Sequence, residues 1–310
     1  SAPARPVAQE GGGRTVPLDL TTGRPVLQAT INGRGPYAMI FDTGAGTTVL
    51  LDSLERELGL TVLGSTPIGS PLGGGEPPMG DIVRLDLVSI AGVERRGLQA
   101  VSIDDSVVPL RARGVLGPAT FPDQIVEIDL SGGTMWIGSA PRQPVARWNR
   151  IGRGDKFEAT ITIAGVAIPA HIDSGSPGTL TLPTRFAAKL PLTAPLRESS
   201  GLRTIDATRI VSIAPLGVAA DISGSPVRVE VANFADLQTA VIGSKALAGF
   251  TLVMDYANKR WALVGAAAGP IVAQPPLGDF GARIMPQADG SMEVYGLDPD
   301  SRAAASGNPS

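Results

Sequence analysis

The 310-residue chain has no cysteine and a single histidine, His171. The first absence excludes disulfides, thiol nucleophiles and thiolate metal sites, while assigning no compartment. The second excludes a zinc centre built from several imidazoles, so neither metal nor cofactor is expected. Charged residues make up only 18% of the chain, the net charge is −3, and no basic stripe stands out. Nucleic acid and anionic membrane surfaces are therefore not the expected partners. Long apolar runs are missing too. The best candidate, WALVGAAAGPIVA at 261–273, is short and broken by glycine and proline, so no membrane span is expected. The opening SAPARPVAQEGGGR holds no signal-peptide apolar core.

Glycine (39) and proline (27) are plentiful, and between them lie short runs of Val, Ile, Leu and Thr. That pattern predicts many turns between short strands, a mostly β chain. With 43% hydrophobic residues, the length suffices for two domains with their own cores.

The chain reads as though written twice. QATINGRGPYAMIFDTG (28–44) lies beside ATITIAGVAIPAHIDSG (159–175) with Asp42 and Asp173 aligned. GVLGPATFPDQIVEIDLSGGTMWI (114–137) lies beside AVIGSKALAGFTLVMDYANKRWAL (240–263) without a gap, matching Gly117 to Gly243, Phe121 to Leu247 and Asp129 to Asp255. The blocks recur at similar separations: 117 − 42 = 75 in one half and 243 − 173 = 70 in the other. The expected organisation is a flexible segment 1–14, lobes 15–145 and 146–266, and a tail 267–310. After Asp42, Asp52 and Glu55 look like a capping box opening a helix that stops near Gly59. In the other half, Pro183 can open a short helix. Ser131-Gly132-Gly133 and Ala257-Asn258-Lys259 mark hairpin turns that close each half.

Similar lobes packed about an approximate two-fold axis bring equivalent loops face to face. Gly44 and Gly175 let each loop turn sharply after its aspartate. Two carboxyls held that close share one proton and titrate as a pair. One can then take a proton from water while the other donates to a substrate carbonyl. No metal, cofactor or covalent intermediate is needed.

On these residues the chain carries a resemblance. IFDTGAGTTVL resembles the active-site segment of retroviral-type aspartic proteases (retropepsins), and IDSGS resembles the second motif of pepsins. GVLG and AVIG are similar to the apolar-apolar-Gly segment that threads behind the catalytic loop in both. Taken together, the chain resembles a single-chain bacterial retropepsin-like protease. The resemblance implies an all-β, two-lobed, double-ψ β-barrel fold with few short helices. It implies catalysis by Asp42 and Asp173, and bracing of the site by the hydroxyls of Thr43 and Ser174, beside Gly44 and Gly175. Ser176 matches a pepsin-like hydroxyl residue that hydrogen-bonds a catalytic carboxylate, whereas Ala45 matches the retroviral pattern and cannot. Losing that donor raises the pair's pKa, so the expected optimum is less acidic than pepsin's. The resemblance also implies a flap over the substrate, for which Gly73, Gly74 and Gly75 in TPIGSPLGGGEPPMGDIVRL (66–85) are the candidate tip. An ordinary mobile loop is the other reading of those glycines. A periplasmic or secreted location follows the family's habit.

Several alternatives stand beside this reading. Asp-Ser/Thr-Gly is also good turn chemistry. DSGSP (173–177) resembles the segment around a trypsin-like nucleophile, but Ser174 would need His171 as base, and the two have opposite parity along a strand. His171 reads rather as a neighbour of the site or a hydrogen-bonded core residue. Asp129 and Asp255 read as turn residues, and Trp136 and Trp261 as core. In the tail, AGPIVAQPP looks like a linker, and the stretch after it resembles the first part of a PDZ domain, with a hairpin around Asp289-Gly290. Peptide or protein docking there is the implied partner besides substrate. The function expected is an aspartic endopeptidase acting on extended polypeptides. The alternative is a non-catalytic peptide-binding protein on the same fold.

Overall fold

The computed structural model describes residues 12–69, 76–105, 112–203, 208–273, 282–286, 292–297 and 302. The first half contributes β1 (Arg14–Pro17), β2 (Val26–Ile31), β3 (Arg34–Phe41), β4 (Thr48–Leu51), β5 (Val62–Pro67), β6 (Met79–Ile90), β7 (Val93–Ile103), β8 (Gly114–Leu116), β9 (Ile125–Asp129) and β10 (Thr134–Gly138). The second contributes β11 (Asn149–Arg150), β12 (Glu158–Ile163), β13 (Val166–Asp173), β14 (Leu180–Pro183), β15 (Arg197–Arg203), β16 (Thr208–Ile222), β17 (Ser225–Ala235), β18 (Ala240–Gly243), β19 (Phe250–Asp255) and β20 (Arg260–Gly265). The pairings of β2–β10 recur in β12–β20. The chain is nearly all β and forms two lobes of the double-ψ barrel type, related by pseudo-two-fold symmetry.

Turn chemistry sets much of this. Ile31-Asn32-Gly33-Arg34 joins β2 to β3 with φ of 51° and 76° at its central residues. Ala91-Gly92, Ala164-Gly165 and Ser223-Gly224 do the same for the β6–β7, β12–β13 and β16–β17 hairpins. Two successive positive φ values match the right-handed twist of the flanking strands, which is why glycine stands second in each pair.

β8 runs parallel to β3, pairing Phe41 with Leu116, and antiparallel to β4 on its other side. It thus lies between the two strands whose connecting loop carries Asp42. β18 does the same between β13 and β14. Threaded in this way, β3 and β13 are covered on both faces near their ends, so Met39-Ile40-Phe41 and Ala170-His171-Ile172 are buried without alternation. β9 pairs antiparallel with β19, so the hairpins β9–β10 and β19–β20 merge into one sheet in the order β1-β10-β9-β19-β20-β11. Val126, Ile128, Leu252 and Met254 are buried along this seam and tie the lobes together.

Three local expectations need correcting. The helix α1 (Asp52–Leu58) forms and ends at Gly59 with φ of 65°, but Asp52 is its first helical residue rather than its cap, and pairs with Arg56 at 3.0 Å. Leu51 stands at the N-cap because β4 runs straight into the helix, leaving no free turn for a capping side chain. The second correction concerns the tail. Ile271–Val272, read as linker, is β21: it pairs with β17, and Ala273 donates to the Val231 carbonyl at 2.8 Å. Ile271 is 3% exposed, so an apolar slot in the second lobe captures a segment whose flanking glycine and proline suggested only a linker. Finally, Pro183 does precede a helical turn, but Thr184–Lys189 is a 3₁₀ helix. Beyond the lobes, β22 (Ala282–Pro286) and β23 (Met292–Leu297) form a hairpin whose turn, with Asp289 and Gly290, lies outside the described residues. No helix among the described residues is long and apolar enough to cross a membrane.

Candidate active site

Asp42 and Asp173 stand at the ends of β3 and β13, and the structure brings the two loops together. Thr43 donates its backbone N–H to Ser174 Oγ, and Ser174 donates its own to Thr43 Oγ1, each at 3.0 Å. The hydroxyls then donate onward: Thr43 to the Ile172 carbonyl at 3.0 Å, Ser174 to the Phe41 carbonyl at 2.9 Å. Thr43 is 1% exposed and Ser174 0%, so these four bonds are sheltered from water. Each hydroxyl grips the opposite lobe just before its aspartate.

Above this lattice the carboxyls of Asp42 and Asp173 lie close enough to perturb each other's ionisation. Backbone N–H groups hold them in turn. Gly44 and Gly175 donate to Asp42 Oδ1 at 2.7 and 3.2 Å, and Ser176 donates to Asp173 Oδ1 at 2.9 Å. The glycines are required by space rather than by φ. A Cβ on Gly44 would lie 2.9 Å from the Asp173 Cγ, and one on Gly175 would lie 2.3 Å from the Asp42 Cγ. Either methyl group would wedge the pair apart. Gly117 and Gly243 serve the loops from behind: a Cβ there would stand 2.7 Å from the Ala45 carbonyl oxygen and 2.5 Å from that of Gly178.

Burial and mutual repulsion push Asp42 up to about 8, with the Gly44 and Gly175 N–H groups opposing the rise. Burial also raises Asp173, but contact with the Asp42 carboxyl, the Ser176 N–H and the positive charge of Arg24 pull the other way. Held this close and this deep, the two carboxyls titrate as a pair and keep a shared proton to higher pH than free aspartates do.

Ser176 meets Asp173 through its backbone N–H; a carboxylate bond from its hydroxyl, the contact implied by pepsin resemblance, is not among those formed by the described residues. Ala45 closes the first turn, its N–H donating to the Asp42 carbonyl at 3.2 Å. Gly73, Gly74 and Gly75 lie outside the described residues; the hairpin that leads to them, β5–β6, is described. His171 is 6% exposed, and its Nδ1 sits 3.2 Å from the Thr239 hydroxyl. Burial and nearby Lys156 push it down to about 4, so it is neutral. With Ser174 Oγ already donating to Phe41, no Ser–His pair exists here. Asp129 accepts the turn N–H groups of Ser131 and Gly132 at 2.9 and 2.7 Å, and Asp255 pairs with Arg260 at 2.7 Å. A cavity of about 460 Å³ lies on the flank of the second lobe, lined by Arg147, Asn149, Arg150, Glu158 and Thr239; no residue of either aspartate loop lines it.

Sequence reasoning missed Arg24, whose Nε donates to the Gly175 carbonyl at 2.8 Å across 151 positions. It also missed Ser244, whose hydroxyl reaches the Gly23 and Ser176 carbonyls. Arg24 lies outside the repeated blocks and Ser244 faces Pro118 of the other copy in their alignment, so only the packing of distant loops reveals them.

Among the described residues no group of three or more His, Asp or Glu side chains could hold a metal ion. A search of curated proteins finds no match to the chain. Over residues 27–119 the chain matches a family model described as aspartyl protease, a span that runs through the first lobe and takes in Asp42 but stops short of Asp173.

Proposed function

We propose that this protein is an aspartic endopeptidase in which Asp42 and Asp173 form the catalytic dyad. The observation that carries the reading is the reciprocal Thr43–Ser174 bonding that joins the two aspartate loops, so that Gly175 donates its N–H to Asp42 across the lobe boundary. The aspartyl protease match supports protease chemistry in general.

The reaction needs one ionised and one protonated carboxyl, here Asp173 and Asp42. Asp173, ionised, takes a proton from water as the water oxygen bonds to the amide carbon, and Asp42 gives its proton to the carbonyl oxygen. The product is a neutral gem-diol. Asp173 then passes its proton to the departing nitrogen as the C–N bond breaks, and Asp42 recovers one from a diol hydroxyl. The backbone N–H groups of Gly44, Gly175 and Ser176 are already aimed at the carboxyl oxygens, so little reorganisation accompanies the charge movement. An extended peptide is the substrate class. β5 is an edge strand of its sheet with Val62 and Leu63 exposed, which suits added-strand recognition beside the candidate flap.

Incubation with a mixed peptide library from pH 3 to 7, with and without a hydroxyl-bearing transition-state isostere, tests this reading. Cleavage blocked by the isostere and abolished in Asp42→Asn supports the enzyme. Binding without cleavage at any pH supports a peptide-binding protein instead. Peptide docking by the segment after residue 273, and a periplasmic or secreted location, belong to the same proposal; truncation binding assays and cell fractionation test them.

A further inference from the structure

The two aspartate loops are built alike, but a cation reaches across to one of them. Arg24 sits on the turn between β1 and β2 and spans the lobe boundary to the Gly175 carbonyl at 2.8 Å. The same Gly175 peptide gives its N–H to Asp42, so both of its polar ends are engaged by the first lobe. The mount is stiff. Asp19 pairs with Val26 at the base of the turn, Gly23 donates to the Leu20 carbonyl at 2.8 Å, and Phe41, the neighbour of Asp42, donates to the Pro25 carbonyl at 2.8 Å. The turn also packs on the second lobe: a Cβ on Gly23 would lie 3.1 Å from Pro177, and the Ser244 hydroxyl reaches the Gly23 carbonyl. The offset between the aspartates, 173 − 42 = 131, carries position 24 to Asp155, an anion already held by Lys259 at 2.8 Å and by Tyr256.

We propose that Arg24 is a positioning residue that makes the dyad unequal: it fixes the Asp173 loop from the opposite lobe and sets a cation beside Asp173, marking it as the general base. The catalytic meaning rests on the aspartic-protease reading; the charge asymmetry does not. Among the described residues, the other charged or titratable groups against these loops include His171 on β13, held neutral by burial, Lys156 beside it, and Lys245 in the 244–247 turn against Gly23. None is bonded to the Gly175 carbonyl among the hydrogen bonds of the described residues.

The test is aspartate ¹³Cγ NMR titration, assigned with Asp42→Asn and Asp173→Asn, on wild type, Arg24→Met, Arg24→Lys and Ser244→Ala. Removing the cation lifts the lower step of the pair by about one pH unit in Arg24→Met, the size expected for losing a nearby opposite charge. Arg24→Lys keeps the charge and recovers at least half of that difference. Ser244→Ala loosens the same turn while keeping Arg24, and leaves the step in place. In peptide cleavage the acidic limb of the pH profile moves upward by the same amount in Arg24→Met. An unmoved NMR step in Arg24→Met, or an equal move in Ser244→Ala, overturns the proposal. Absence of cleavage in wild type overturns the protease reading alone, because the titration is read without turnover.

Discussion

Replacing Asp42 with asparagine separates the chemistry proposed for the carboxyl pair from its effect on stability. Asp42 is raised from 3.8 to about 8 in the folded protein. Between those values the folded chain holds a proton that the unfolded chain has released, so stability falls as pH rises through the interval. Asparagine carries no charge at any pH, and its amide can still donate to a neighbouring carboxylate. The variant is therefore indifferent to that stretch of pH as far as position 42 is concerned. A shift of one unit corresponds to about 1.4 kcal/mol. Because Asp42 keeps partial access to solvent and shares its proton with Asp173, the realised difference is discounted to about 2 kcal/mol at pH 8. For a chain of this size that is about 4 °C in melting temperature. Urea and thermal unfolding of both proteins from pH 4 to 8 make the measurement, and cleavage of a peptide library is assayed in parallel. Asp42→Asn is expected to be inactive, equal to wild type in stability near pH 4 and the more stable protein at pH 8. Parallel stability curves, or a variant weaker than wild type at pH 8, refute the idea that burial and Asp173 hold a proton on Asp42.

Three further outcomes follow from the same geometry. Ser174→Ala leaves the Thr43 N–H and the Phe41 carbonyl without partners in a dry site, and is expected to lower unfolding free energy in urea by about 2–4 kcal/mol; Thr43→Ser, which keeps the hydroxyl, is expected to stay within about 1 kcal/mol of wild type. Gly175→Ala puts a methyl group 2.3 Å from the Asp42 Cγ, and kcat on a cleaved peptide is expected to drop by about a hundredfold or more while far-ultraviolet circular dichroism is retained. The alkaline limb of the pH profile should lie near the value of about 8 reached by Asp42, giving a maximum less acidic than pepsin's; a maximum below about pH 3 contradicts both this and the absence of a hydroxyl at Ala45.

Some of this was legible in residues alone. Gly33 and Gly165 announce the turns before β3 and β13 because glycine tolerates positive φ, and local sterics do not depend on the rest of the chain. Ala91, Ala164 and Ser223 hold positive φ that their residue types rarely adopt, a conformation imposed by the strands they join. The matched frames around Asp42 and Asp173 raised the question of their meeting, since equivalent positions in similar lobes invite a shared axis. Where the local signal misled, a neighbour had overruled it. Asp52 has capping chemistry, but β4 enters the helix without a break, and Ile271 lies among linker residues, but β17 offers it an edge and an apolar slot.

The sequence by itself determined the strand-rich character of the chain, the turn positions and the identity of the acid pair, because each depends on a few adjacent side chains. The tertiary structure decided everything that turns on distance between remote segments. It joined Thr43 to Ser174 across 131 positions, placed Arg24 on Gly175 across 151, and seated β8 between the strands that flank Asp42. Above all it set the surroundings of the two aspartates. Burial, the approach of one carboxyl to the other and the placement of one cation are properties of packed space, and a carboxyl's ionisation answers to that surrounding rather than to its neighbours in sequence.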